Sequence, residues 1–211
     1  MRVAMRYIIV CMLSLLVLSG CQFTAEQQET FNPEKAALAR LKLGLGYLAQ
    51  AQGQTDKSSE DLKLAHYNLS LANQYSPNNP NVMLGMALFD QHVGEYNEAD
   101  IIYQTITKTE PNNGLYHIHY GSFLCATNRY NEAQIQFQQA IALNRPQWKI
   151  DGLEQLGYCA IQHGDKGQAD SAFHALFEYD SSKREHVADM ARIYQQKGDT
   201  NIATYLLAVS K

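Results

Sequence analysis

The sequence is poor in the features that carry chemistry. It has no H-E-x-x-H helix, no phosphate-cradling G-x-x-x-x-G-K-[ST] loop and no nucleophile-elbow motif around its serines. Metalloprotease, P-loop and hydrolase-elbow readings are therefore excluded, and an enzyme is not expected. Basic residues are few as well: 17 Lys and Arg stand against 21 Asp and Glu, and no charge run exceeds three residues. Neither a nucleic-acid stripe nor a polybasic membrane patch can be built from that. The longest apolar run, Tyr7 to Leu18, is interrupted by Ser14 and falls short of the roughly 20 residues a membrane span needs. Tryptophan occurs once, at Trp148 beside Pro146, where packing against the adjoining helix is the expected role.

Metal ligands are present without a pattern. His117 and His119 are two apart on a helix and point to nearly opposite sides; Cys159 and His163, four apart, share a face but make only two ligands. No metal site and no cofactor are expected. Of the four cysteines, Cys125 and Cys159 fall on helices of neighbouring units and are expected to be two buried free thiols.

What is abundant is repetition. Ala65, Ala99 and Ala133 are 34 residues apart, followed at the same step by Leu69, Tyr103 and Phe137, then by Ala72, Ile106 and Ala140. A fixed 34-residue period marks a tetratricopeptide (TPR) array, a stack of helix–turn–helix units whose product is a surface for a partner segment. The fold class is thus all-α: a TPR superhelix of about five units over residues 37–211. Helix A of each unit carries a small residue near its middle, as in Leu43-Gly44, Met86-Ala87, Tyr120-Gly121, Leu156-Gly157 and Met190-Ala191. Helix B carries an early alanine, at 65, 99, 133, 169 and 203, with a large apolar residue four later. The pattern is irregular in three places. About nine extra residues sit in the polar stretch 51–61 of the first unit, two more precede Trp148, and the fifth helix B is followed by no capping helix. Leu206, Leu207 and Val209 are accordingly either buried on their own helix A or open to a partner.

In such a stack, helix A positions 2, 5, 9 and 12 line the inner groove. The first unit supplies Leu38, Leu41, Leu45 and Leu48, the second Leu84 and Leu88, and the third Leu115 and Ile118. Farther on come Asp151, Glu154 and Glu185, read as a solvated polar end. An apolar strip of this kind suits an amphipathic partner helix; packing by the Phe23–Phe31 segment or by an inserted loop at 51–61 is the alternative. A protein partner is expected, with no small-molecule substrate and no nucleic acid.

The first residues form a leader: Arg2 and Arg6, a short apolar core, then Leu18-Ser19-Gly20-Cys21. That tetrapeptide resembles the lipobox of bacterial lipoproteins, which implies cleavage after residue 20 and acylation of Cys21, the anchor to the membrane. Gln22 is similar to the outer-membrane sorting pattern. Residues 1–20 are then a lipoprotein signal peptide and 21–36 a lipidated polar tether. Loss of Arg2 and Arg6 leaves 17 − 2 = 15 basic against 21 acidic residues, a net charge of −6.

The chain also resembles the PilF/PilW family of type IV pilus biogenesis lipoproteins, or pilotins. The resemblance rests on Leu41-Lys42-Leu43-Gly44-Leu45-Gly46-Tyr47-Leu48, on Tyr120-Gly121-Ser122-Phe123-Leu124 with Arg129-Tyr130-Asn131-Glu132-Ala133, and on Leu153-Glu154-Gln155-Leu156-Gly157. It implies a non-enzymatic protein on the inner leaflet of the outer membrane, facing the periplasm, that binds secretin subunits and promotes their localisation and multimerisation. It also implies that the first-unit groove is a secretin contact. The chain departs from the family pattern in its 51–61 insertion and in lacking a sixth repeat. A TPR lipoprotein adaptor of another envelope system, such as a tight-adherence pilus or a protease or cell-wall-synthase adaptor, is the other reading. Two acyl signals are needed for stable anchoring, so Cys21→Ser is expected to move the protein from the membrane to the soluble fraction, as read by fractionation and intact mass.

Overall fold

The computed structural model describes residues 31–53, 58–143 and 145–211. The signal peptide, Cys21 and the tether as far as residue 30 lie outside the described residues, as do 54–57 of the insertion. The repeat array occupies Pro33–Lys211. Its ten helices are α1 (Pro33–Gly53), α2 (Ser58–Tyr75), α3 (Pro80–Val93), α4 (Tyr96–Thr109), α5 (Gly114–Ala126), α6 (Tyr130–Ala142), α7 (Pro146–Gln162), α8 (Lys166–Tyr179), α9 (Lys183–Gln196) and α10 (Thr200–Val209). No strand occurs among the described residues. Five helix pairs follow one another, each packed within itself and against the next. This is the TPR fold that the 34-residue period predicts.

Local chemistry sets the helix ends. Asn79 caps α3 by accepting from the backbone N–H of Asn81 and Val82, with Pro80 pre-set for the first turn; Asn113 accepts from Leu115 in the same way on α5. The turn from helix A to helix B passes through a left-handed residue in four units: Gly94, Asn128, Gly164 and Gly198. The following N–H then reaches back to a helix A carbonyl, Glu95 to Asp90 at 2.8 Å, Arg129 to Leu124 at 2.8 Å, Asp165 to Ala160 at 2.9 Å and Asp199 to Tyr194 at 2.9 Å. These bonds occupy carbonyls that the helix leaves unpaired, and glycine or asparagine tolerates the backbone they need.

The period in sequence reappears as a period in burial. Ala65, Ala99, Ala133 and Ala169 are wholly buried and Ala203 nearly so, with Leu69, Tyr103, Phe137 and Phe173, four residues later, in the core; in the fifth unit the expected Leu207 is exposed and Leu206 takes the core place. Helix A glycines are the other half of the contact. A Cβ at Gly44 would lie 2.6 Å from Leu69, at Gly121 2.6 Å from Phe137 and at Gly157 2.7 Å from Phe173. Trp148 packs as expected: its ring lies against the backbone of Gly114, where a Cβ would come within 2.7 Å, and the Arg145 guanidinium covers it at 4.6 Å. At the last unit the three apolar residues divide: Leu206 is fully buried, Val209 partly, and Leu207 is exposed.

The stretch 51–61 is helical at both ends, closing α1 at Gly53 and opening α2 at Ser58, so the first pair has 21 and 18 residues. Ala51 is buried in the extension.

One expectation is corrected. Cys125 and Cys159 are not free thiols but a disulfide. They are 34 residues apart, whereas equivalent places in the third and fourth units are 36 apart (Gly121 and Gly157, Phe137 and Phe173), so Cys159 stands two residues short of the place equivalent to Cys125. Their helices, α5 and α7, pack side by side, which brings the two Cα atoms to 5.9 Å, within bridging range.

The close approach predicts a contrast between two glycines. Gly157→Ala should lower stability by about 1–3 kcal/mol through overpacking against Phe173. Gly46→Ala, with no atom within 4 Å of the added Cβ, should raise it by about 0.5–1 kcal/mol. Denaturant midpoints of the two variants check both signs.

Candidate functional site

The A helices carry two cavities. The first lies between α1 and α3, has a volume of about 400 Å³ and is lined by Leu45, Leu48 and Ala49 with Leu88, under a rim of Gln52, Gln91 and His92. Gln91 is fixed by the Tyr103 hydroxyl, which donates to its Oε1 at 3.0 Å. The eight groove leucines and isoleucine of the sequence do not all reach it. Leu45 and Leu88 are half-buried in its walls and Leu48 forms the floor. Leu38 and Leu115, 47% and 39% exposed, stand outside the cavity on the surface of α1 and α5. Leu41, Leu84 and Ile118 are core residues. Leu41 shows why: its Cδ1 occupies the space beside Gly85, 2.5 Å from where a Cβ would sit. Helix A positions serve packing between units before they serve a ligand. Ala49, Gln52 and His92, absent from the sequence reading, lie one turn beyond Leu45, Leu48 and Leu88. The i,i+4 step alone finds them once α1 is known to continue past residue 50.

The second cavity, of about 310 Å³, lies where α5, α7 and α9 face one another. Ser122, Gln155, Gln162, His186 and Tyr194 surround it, with the disulfide at its base. Glu154 is here, but not as a solvated charge: it is 5% exposed. Its carboxylate accepts from the Tyr158 hydroxyl at 3.2 Å, from Lys183 Nζ at 3.2 Å and from His186 Nε2 at 2.9 Å. Burial of a carboxylate is tolerable only with such partners. Burial and the Glu154 charge push the Tyr158 hydroxyl well above its usual range, so it remains a donor. Asp151 is half-buried beside Gln147 and Glu185 is exposed. Gln162 donates to the Tyr194 hydroxyl, a further tie between α7 and α9.

The tyrosines are held protonated; Tyr120, buried and donating to Asp100 at 2.8 Å, is pushed up to about 12. His119 is pushed down by burial, while His117 is held between Gln136 and the Pro111 carbonyl. Side-chain amides, hydroxyls and an imidazole around a cavity of this size are the groups that pair with a peptide backbone.

Known proteins resemble this chain in sequence or in fold. An uncharacterised protein of Haemophilus influenzae is 30% identical over 146 residues, spanning 68% of this chain and 74% of its own. The solved structure of PilF from Pseudomonas aeruginosa superposes with a TM-score of 0.64 at 22% identity, covering 85% of this chain and 77% of PilF. PilW, described as a widely conserved type IV pilus biogenesis factor, superposes at 0.60 with 18% identity, over 82% of this chain and 76% of PilW. No family model matches the chain.

Glu154 joins the fourth unit to the fifth. Glu154→Gln keeps the shape but removes the charge facing Lys183 and His186, and should cost about 1–3 kcal/mol. The fifth unit should become the first site of cleavage in limited proteolysis.

Proposed function

Because the chain belongs to the family of the uncharacterised Haemophilus influenzae protein and shares the TPR fold of PilF and PilW, we propose that it is a pilus-related TPR adaptor. It binds a protein segment and performs no catalysis. The observation that carries this reading is the cavity between α1 and α3, open to solvent and walled by Leu45, Leu48 and Leu88. Two or three large apolar side chains on one face of a helix would fill about 400 Å³, and burying each contributes roughly 1.5–3 kcal/mol. Gln91 and Gln52 at the rim satisfy the polar edge of such a helix.

The finer reading is that the client is the pilus secretin, and that acylated Cys21 holds the adaptor on the inner leaflet of the outer membrane. The lipobox-like tetrapeptide and the resemblance to the PilF/PilW family support it. Binding would then raise the local concentration of secretin subunits at the membrane, where multimers form.

The groove variant follows from the geometry. Leu41→Asp would put a carboxylate in the core and confound folding with binding, whereas Leu45 is half-exposed on the cavity wall. Leu45→Asp should retain helicity and thermal midpoint to within a few degrees, yet abolish heat-resistant secretin multimers when it replaces the native chain. Normal multimers with folded Leu45→Asp would exclude this cavity as the contact. Unchanged multimers in a strain lacking the protein altogether would move the adaptor to another envelope system.

A further inference from the structure

The disulfide leaves an unused property in the second cavity. We infer that the chain in its reduced form holds a thiophilic divalent cation, of the zinc class, on Cys125, Cys159 and His163. Along α7 the spacing of Cys159 and His163 supplies two ligands on one helix face; the fold adds Cys125 from α5. One ligand atom from each of the three residues lies within 4.8 Å of the others. Zinc sits about 2.3 Å from a thiolate and about 2.0–2.1 Å from an imidazole nitrogen, so tetrahedral ligands are about 3.4–3.8 Å apart. That spacing fits inside the observed envelope.

On reduction the two bonded sulfurs must separate, while the rest of the site is held by contacts not made through them. His163 is held by Nε2 against the Cys125 carbonyl at 3.2 Å, which leaves Nδ1 as its ligand atom, and by stacking on Tyr130 at 5.1 Å. Tyr130 is itself fixed by donating to Asp165 at 3.0 Å. α5 and α7 are packed through Phe123, Leu124 and Leu156 in one core. The cavity beside the cysteines provides a fourth position, for water or for a side chain of a bound segment.

The two states are mutually exclusive and balance simply. A newly made chain has both thiols reduced. In the oxidised protein a phosphine reductant and one water convert the disulfide into two thiols and a phosphine oxide. The cation then displaces both thiol protons to solvent and bonds to two thiolates and one imidazole. Exchange with a disulfide oxidant, which takes up the two electrons and two protons and leaves as two thiols, converts the two thiolates into the disulfide, removes two ligands and releases the ion.

Cobalt(II) tests this directly. In the full chain with Cys11→Ser and Cys21→Ser, these two are the only thiols. After phosphine reduction and removal of the reductant, one cobalt per chain should bind with a thiolate-to-cobalt charge-transfer band and tetrahedral visible bands, both bleached by Zn²⁺. The oxidised chain should give neither. His163→Ala should weaken cobalt binding by more than about tenfold while circular dichroism of the reduced chain is unchanged. A folded reduced chain with no charge-transfer band, equal binding by the oxidised chain, equal affinity in His163→Ala, or loss of helicity on reduction would each overturn the assignment.

Discussion

The array depends on how closely helix A and helix B of each unit can approach. At Gly44, Gly121 and Gly157 the gap between helices is smaller than a methyl group, because Leu69, Phe137 and Phe173 already fill it. Dispersion between a ring and a bare backbone is gained at every such crossing, and the geometry is copied from unit to unit. Everything else is placed by that crossing: the left-handed turn that returns the chain, the alanine of helix B that lets the next unit dock, and the alignment of A helices along one face.

Alignment of A helices also creates the functional contrast along the array. Between α1 and α3 leucines lie under two glutamines and a histidine; among α5, α7 and α9 amides, hydroxyls and a carboxylate stand with Phe137, Met190 and the disulfide. The second region buries the Glu154 carboxylate, which Lys183 and His186 pair. A segment lying along this face would meet leucines first and an ion-paired region later, which gives it a direction as well as an affinity. Aliphatic contacts alone carry little information about which way a helix runs.

Much of this was legible in the sequence, because the repeat is a packing constraint written once per unit. The alanines of helix B and their aromatic partners recur at the 34-residue step, lengthened to 36 between the third and fourth units. Trp148 was legible from the Pro-containing turn beside it. The disulfide was not: across that 36-residue step two cysteines 34 apart are not at equivalent places, and only the packing of α5 beside α7 brings them together. The groove was half legible. A position rule separates the inner face from the outer one but not packing from exposure, so Leu41, Leu84 and Ile118 joined residues that truly border the cavity. At the ends of the 51–61 stretch the two helices extend over polar residues, which composition alone does not show.

The disulfide changes how the stack comes apart. In a linear repeat protein each unit is stabilised by its immediate neighbours, so ends fray first and unravelling can advance one unit at a time. Bridging Cys125 to Cys159 spans 34 residues, and on a chain-entropy estimate restricts the unfolded chain by about 3–4 kcal/mol. The third and fourth units therefore cannot separate in sequence from the rest. Pulled from either terminus, the array would yield its outer units and then stop at a crosslinked pair that extends only as far as its own loop allows.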